Sequence, residues 1–396
     1  MKNILTRFKL LKLSDVCNIQ TGKYDANHEK PNGKYRFYTC AFEYMYCETK
    51  RFSGECIILP GNGANVGEVF YYNGDFDAYQ RTYVLNKINI YPKYLYYHLL
   101  GNWRKRNQDK QFGSATNYIR MGNFTDYEIS VPEDNFQLAI VSKIEELFSE
   151  LDIGIKNLKT AQQQLKVYRQ AVLKWAFEGK LTNENVKDVE LPETWKFLRF
   201  GEIFSTTPQN GLYKASTEYG SGTPIIRIDG FYEGAILSDY EYKRVRLTKE
   251  EIEKYEIVEG DILVNRVNSM PYLGKCGIVK HLKERTVFES NIMKVKVDLK
   301  MAFPEYVAIY LSSQRGLKEL RKNAKQAVNQ ASINQTDVSN VNIPLPKMEE
   351  QKLIVQEIEN RLSVADKMEE SINDSLKQAE ALRQSILKKA FEGKLI

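Results

Sequence analysis

The chain is poor in the residues that usually carry chemistry. Only three histidines, His28, His98 and His281, are spread over 396 residues. No H-E-x-x-H pair is formed, which speaks against metal-hydrolase chemistry. Five cysteines, Cys17, Cys40, Cys47, Cys56 and Cys276, make an odd set without a C-x-x-C pair. Neither a disulfide framework nor a zinc site follows from them, and buried free thiols are expected. No stretch approaches the ~18 apolar residues of a membrane span, and Met1 to Lys12 lacks an apolar core of signal-peptide length. A soluble, cytoplasmic protein is expected. The glycine-rich run Gly61-Asn-Gly-Ala-Asn-Val-Gly67 is followed by Glu68 instead of the lysine that a phosphate-binding loop needs, so it reads as a turn. There is no G-x-S-x-G elbow, and none of the N-P-P-[YF] or D-P-P-[YF] tetrapeptides with which amino-methyltransferases hold a target base. Catalysis by this chain alone is not expected.

A large excess of one charge is also missing. Fifty-seven Lys and Arg face 51 Asp and Glu, a net +6, so any contact with a polyanion must come from local patches. The rest of the composition is that of a folded protein, with 42% hydrophobic and 27% charged residues and a mean hydropathy of -0.48. At roughly 150 residues per domain, two or three domains are expected.

What the chain does have is itself, twice. Residues 131–182 align without a gap to 345–396, and both segments close on Ala-Phe-Glu-Gly-Lys-Leu, at 176–181 and 390–395. The similarity extends upstream through Leu11 and Leu198, Gly54 and Gly260, and Pro92 and Pro304, at separations of 187, 206 and 212 residues; Gly179 and Gly393 lie 214 apart. Most of the extra length of the second copy therefore lies near its start. Each copy has a front rich in Gly, Tyr, Asn and short β-favouring runs (Cys56–Leu59, Val69–Tyr72, Ile225–Ile228, Ile262–Val264), which predicts a mixed α and β domain. Each also has a proline-free back, 137–178 and 351–392, with helical spacing.

Heptads counted from Ile144 place Ile144, Leu151, Leu158, Leu165 and Val172 at a, and Leu147, Gly154, Ala161, Tyr168 and Trp175 at d. The second copy gives Ile358, Ala365, Ile372, Ala379 and Ile386 at a, and Arg361, Met368, Ser375, Leu382 and Lys389 at d. The expected helix-pair seam runs through Ile144, Leu147, Leu151, Leu158, Leu165, Tyr168 and Val172, facing Ile358, Met368, Ile372, Leu382 and Ile386. Roughly 42 residues at ~1.5 Å each make a rod of about 60 Å. Gly179 and Gly393 sit where a left-handed residue stops a helix. A stop alone does not explain why Phe and Lys recur beside them, and a subunit-docking role is the other reading.

Basic clusters recur at equivalent places. Arg104-Lys105-Arg106 and Lys110 follow the Pro92 segment, and Arg321-Lys322 and Lys325 follow the Pro304 segment. Amide-rich stretches come next, with Asn117 and Arg120 in one copy and Gln330 and Asn334 in the other. Lys and Arg neutralise phosphates, while Asn, Gln and Arg can read base edges. The base-reading candidates are Asn65, Arg81, Asn117 and Arg120 in the first front domain, and Arg266, Asn268, Gln330 and Asn334 in the second. A solvated helix face is the alternative for the basic runs, and a turn or cap for each polar residue.

With these features assembled, the whole chain resembles the specificity (S) subunit of type I restriction-modification enzymes. The resemblance rests on Leu191-Pro-Glu-Thr-Trp195 leading to Phe200-Gly-Glu-Ile203, on Gly61–Gly67, on Pro344-Leu-Pro346 with Glu350-Gln351, and on the two A-F-E-G-K-L ends. Copy one departs from the pattern, with Phe136-Gln137 in place of Glu-Gln. The resemblance implies an α+β protein with a pseudo-twofold internal repeat: target-recognition domains at 1–135 and 191–348, and two long antiparallel helices, at 136–190 (with a linker) and 349–396, forming a coiled coil. It implies recognition of a bipartite asymmetric site on double-stranded DNA, and docking of methyltransferase and restriction/translocase subunits. S-adenosylmethionine and ATP are expected on those partners, and no cofactor, metal or membrane is expected on this chain. The helix pair would then set the distance between half-sites, about 34 Å per turn of DNA. The alternatives are the recognition subunit of a type IIB-like system, a coiled-coil scaffold that binds only proteins, or an enzyme with an unrecognised active site.

Overall fold

The computed structural model describes residues 8–108, 117–183, 191–232, 234–236, 241–328 and 330–396. It divides into two compact units, residues 1–160 with 372–396, and residues 161–371. Each unit thus combines a front domain with parts of both long helices.

In the first unit the strand Glu55–Pro60 is central, pairing antiparallel with Thr82–Asn86 on one side and Phe70–Asn73 on the other; Asn18–Thr21 completes a four-stranded sheet. Its apolar run is buried from Cys56 to Pro60 because the strand has a core on each face. Ile57 and Leu59 face the helix Pro92–Asn107 and its core, while Cys56 and Ile58 join Phe52, Phe76 and Val84 in a smaller one. That split is the period-two alternation of a strand. The second unit repeats the plan. Ile262 and Val264 of the strand Ile262–Asn265 face the helices Pro304–Ser312 and Gln314–Arg321, and Leu263 packs with Phe231, Phe288 and Ile292 on the other side. Strands between Tyr219 and Val245 and the helix Lys249–Tyr255 fall where the spacing between the copies widens. The expected strands at Cys56–Leu59, Val69–Tyr72 and Ile262–Val264 are found within one or two residues, whereas the one expected at Ile225–Ile228 is the end of a longer strand, Tyr219–Ile226. Four of the five cysteines are buried free thiols, and Cys40 is half-buried.

In each unit the front domain hands over to a long helix in the same way. A short antiparallel pair, Lys9–Lys12 with Glu128–Val131 and Lys196–Arg199 with Asn342–Leu345, precedes the 44-residue helices Asp134–Phe177 and Met348–Phe391. A buried glutamine then pins each helix start. Gln137 accepts from the Tyr91 amide (2.8 Å) and donates to the Pro132 carbonyl (2.9 Å). Gln351 accepts from the Phe303 amide (2.7 Å) and donates to the Pro346 carbonyl (3.0 Å). Nearby, the hydroxyls of Tyr94 and Tyr306 donate to the carbonyls of Ser130 and Pro344, both at 2.6 Å. The glutamine therefore carries the joint, which is why Phe136 can stand where the other copy has Glu350.

Both helices end as their sequence predicts. Gly179 (φ 77°) and Gly393 (φ 68°) are left-handed. The amides of Lys180 and Lys394 reach back to the carbonyls of Trp175 and Lys389, each at 2.9 Å, a Schellman stop. The recurrent phenylalanine does something else. Phe177 is buried and sets its ring edge-on to Tyr306 (5.4 Å) and Tyr310 (5.0 Å) of the second front domain. Phe391 does the same to Tyr94 (5.4 Å) and His98 (4.8 Å) of the first. The helix of one copy thus ends in a socket on the front domain of the other.

The period of the helix pattern is right, but one of its two inward columns is not the one expected. Beyond the helix starts, the buried residues at a and e positions of the register counted from Ile144 are Ile144, Phe148, Ala379, Ile386 and Ala390 in the first unit and Val172, Ala176, Ile358 and Ala365 in the second. Ile140, Val141, Ile354 and Val355 at the helix starts, and Phe177 and Leu387 near the helix ends, are buried in the same cores. Three of the residues placed at d are turned aside: Met368 is 53% exposed, Leu382 50% and Trp175 39%. Leu147, Leu151, Leu158, Leu165, Tyr168 and Ile372 are half-buried. The e column escapes hydrophobic counting because it mixes Phe148 with Arg169, Glu369 and Arg383. Those polar members are paired. Arg169 bridges to Asp366 (2.7 Å) and Glu369 (2.9 Å) within the second unit, and Arg383 binds Asp152 and lies 4.5 Å from the Phe148 ring in the first. Just beyond the end of the first long helix Thr182 and Asn183 donate to Glu350 (2.8 and 2.9 Å), so within the second unit the two helical segments run in opposite directions. Among the described residues no helix is long and apolar enough to cross a membrane.

Candidate nucleic-acid interface

In each unit the central strand runs out into a loop that meets the segment following the basic helix. In the first, that loop is Gly61–Gly67. The Gly63 amide donates to the Asn117 carbonyl (2.8 Å), the Ile119 amide to the Gly61 carbonyl (2.9 Å), and Asn62 pairs with Tyr118. A Cβ on Gly61 would sit 2.1 Å from the Arg81 carbonyl, and one on Gly67 would sit 3.1 Å from the Arg104 side chain. Gly67 also has φ 104°, so the glycines permit close backbone approach. This hub brings together Asn65, Arg81, Arg104, Asn117 and Arg120, which are scattered over the sequence.

Their side chains are not equally available. The Asn65 amide donates to the Cys40 carbonyl (2.9 Å) and braces the turn. Arg104 pairs with Glu68, Arg106 donates to the Asp126 carbonyl (3.0 Å), and Arg120 donates to the Tyr118 hydroxyl (2.7 Å) while lying over its ring. Arg81, Lys105 and Asn117 are exposed, with no side-chain partner among the described residues. Lys110 lies outside the described residues.

In the second unit the equivalent loop begins with the strand Val267–Asn268, which pairs with Gln330–Ser332; that strand pairs in turn with Lys325–Ala327. One three-stranded sheet therefore carries Asn268, Gln330 and Lys325, with Arg266 at its edge. Four of the candidate side chains here have scaffold roles. Arg321 donates from Nε to the Leu273 carbonyl (2.8 Å), and burial pulls its pKa down from the usual guanidinium value. Arg266 donates to the Ser290 carbonyl (3.1 Å), and Asn268 accepts from the Ser269 amide (2.8 Å). Asn334 accepts from the Asp337 amide (3.0 Å) as the cap of the helix Gln335–Ser339. Asn65, Arg321 and Asn334, expected as DNA contacts, each commit a side-chain bond to the scaffold: Asn65 to the Cys40 carbonyl, Arg321 to the Leu273 carbonyl of a distant loop, and Asn334 to the cap of its own helix. Lys322, Lys325 and Gln330 remain exposed, without a side-chain partner among the described residues.

No group of three or more His, Cys, Asp or Glu that could hold a metal occurs among the described residues. The buried histidine is packed into the socket. Burial pushes His98 down to about 4, and its ring contacts the Tyr127 hydroxyl (3.1 Å) and the Phe391 ring. Two clusters were not singled out from the sequence, namely the socket tyrosines Tyr94 and Tyr306, which recur at the repeat spacing, and the aromatic cluster around Arg36. There the Arg36 guanidinium lies 4.1 Å from the Tyr44 ring and 4.4 Å from that of Tyr72.

The two hubs coincide with two matches of one family model, the type I restriction modification DNA specificity domain, over residues 7–162 and 192–378. The chain belongs to this family. Among its relatives, the EcoDI specificity subunit of Escherichia coli is 28% identical over 98% of this chain and 88% of its own length. The EcoKI specificity subunit of Escherichia coli (strain K12) is 30% identical over 74% of this chain and 63% of its own. Two solved structures share the fold. A chain from a type I R-M system matches with a TM-score of 0.72 and 16% identity, covering 98% of both chains. The HsdS subunit from Thermoanaerobacter tengcongensis matches with 0.58 and 17%, covering 98% of this chain and 97% of that one. The specificity family thus accounts for both copies of the repeat.

Proposed function

We propose that this chain is the DNA sequence-specificity subunit of a type I restriction-modification complex, in which each front domain reads one half of a bipartite, asymmetric double-stranded site. The observation that carries the reading is the recurrence, in both copies, of a loop-and-strand hub next to a basic helix, in a chain matched by the specificity-domain model along both copies. Lys105 and Arg104 on one hub, and Lys322 and Lys325 on the other, supply phosphate contacts. Arg81, Asn117 and Gln330 are the side chains left to read base edges.

The two long helices act in this proposal as an antiparallel coiled-coil strut whose register sets the spacing of the half-sites. The within-unit pairs of Arg169 with Asp366 and Glu369, of Asn183 with Glu350, and of Arg383 with Asp152 support it. Methyl transfer, translocation and cleavage fall to the methyltransferase and restriction subunits docked on it, along with the S-adenosylmethionine and ATP they use. The site of action is the cytoplasm, where the DNA is. Extrusion of the target adenine costs a few kcal/mol of stacking, and a subunit that grips the duplex on both sides helps hold it deformed while its partner acts. Mapping methylated adenines across the genome with and without the gene tests the proposal. Exchanging residues 1–135 for the first domain of a relative should change one half of the methylated sequence; a change in both halves, or no loss of methylation without the gene, overturns it.

A further inference from the structure

The second hub carries a feature that phosphate binding does not explain. Lys325–Ala327 and Gln330–Ser332 form a hairpin whose register pairs Lys325 with Ser332, Gln326 with Ala331 and Ala327 with Gln330. Its root is fixed. The strand Val267–Asn268 pairs with Ala331 and Ser332, the Ile333 amide donates to the Arg266 carbonyl (2.9 Å), and Ala331 and Ile333 are buried. Its outer part is not covered, since Lys325, Gln326, Ala327, Val328 and Gln330 are all exposed. Val328, at 91%, is the most exposed large hydrophobic side chain among the described residues.

A lone exposed aliphatic residue is ordinary on a protein surface, but here it stands at the end of an anchored hairpin, and the charge around it selects the kind of surface it could meet. No Asp or Glu occurs from Leu320 to Thr336, nor from Ile262 to Lys283, the segments that supply all three strands of this sheet. Lys322, Lys325 and Arg266 lie within them. The cross-strand register puts Lys325 and Gln330 on one face of the hairpin. A carboxylate-free ribbon that carries lysine, an amide and one bare aliphatic group is complementary to a DNA major groove. That groove admits a two-stranded β-ribbon, and the thymine C5-methyl is the apolar group it displays.

We propose that the paired strands Lys325–Ala327 and Gln330–Ser332 enter the major groove of one half-site and that Val328 contacts a thymine methyl there, making it a specificity-determining residue. The proposal rests on the DNA-specificity reading above and is tested separately from it. The assembled complex of this chain with its methyltransferase subunits is titrated against duplexes carrying its mapped site, with each thymine in turn replaced by deoxyuridine, which lacks only the methyl. At one thymine, in the half-site that follows residues 191–348 in a domain exchange, affinity should fall about fourfold, the value of one buried methyl-sized group. Val328→Gly should abolish the response at that position alone, and Val328→Ile should retain it. Because Val328 is exposed, neither substitution disturbs the core. The proposal is overturned if no thymine responds, if that half-site has no thymine, if Val328→Gly keeps the response, or if Val328→Gly instead releases the methyltransferase subunits. A complex that binds all duplexes alike would overturn the DNA-specificity reading itself, an outcome easily told from the others.

Discussion

Replacing Phe177 by alanine removes a ring that is 2% exposed and wedged against Tyr306 and Tyr310. Truncating a buried Phe costs about 3–5 kcal/mol, of which two edge-on aromatic contacts at about 0.5–1.5 kcal/mol each form part. Set against a typical domain stability of about 5–15 kcal/mol, this is a large fraction. Phe177→Leu keeps most of the volume but loses the ring contacts, so about 1–3 kcal/mol is expected for it. With two compact units in one chain, a single unfolding curve need not be two-state, and the readout must resolve regions. Urea titration followed by hydrogen exchange should show protection falling in Pro304–Ser312 and at the end of the first long helix, while Pro92–Asn107 of the other unit holds. Equal loss in both units, or a cost for Phe177→Ala below about 1 kcal/mol, would refute the socket as the anchor of that helix end.

Three further outcomes follow from the geometry. His98 is neutral in the folded state because burial lowers it to about 4. Its contribution is therefore full above the unfolded value of about 6.5 and is lost as pH falls from there towards 4, by about 3 kcal/mol in total; His98→Gln should flatten the decline of midpoint with pH in that window. Gln351→Leu leaves the Phe303 amide and the Met301 and Pro346 carbonyls without their partner, and at about 1–3 kcal/mol for an unsatisfied buried group a clear drop in thermal midpoint is expected. Changing Arg104, Lys105 and Arg106 together to alanine should weaken DNA binding and flatten its dependence on salt, by about 0.9 in logarithmic slope for each phosphate that is no longer neutralised; an unchanged slope would remove them from the interface.

The duplication and the helix stops were legible because they are local. A glycine after a helical run specifies its own geometry, and six identical residues in two places align without help. The heptad period was legible for the same reason, yet the e column was not. Arg169, Glu369 and Arg383 look like solvent residues until their partners on the other helix are known. The socket lay out of reach because Phe177 and Tyr306 are brought together only by the fold, although both recur at the repeat spacing. Counting cations could not show that the guanidinium of Arg321 is taken up by the Leu273 carbonyl, nor that the Asn334 side chain belongs to a helix cap. The glycine loop read correctly as a turn, but a turn does not announce that it will gather Arg81, Arg104 and Asn117 around it.

The joint between front domain and long helix uses the same glutamine, tyrosine and phenylalanine in both units, while the loops that carry the exposed Lys, Asn and Gln differ in length and composition. On the proposed reading, a standard fitting of this kind would let one head be replaced by recombination at the DNA level without refitting the shaft, so that a single genetic exchange would change the address that the partner methyltransferase answers to.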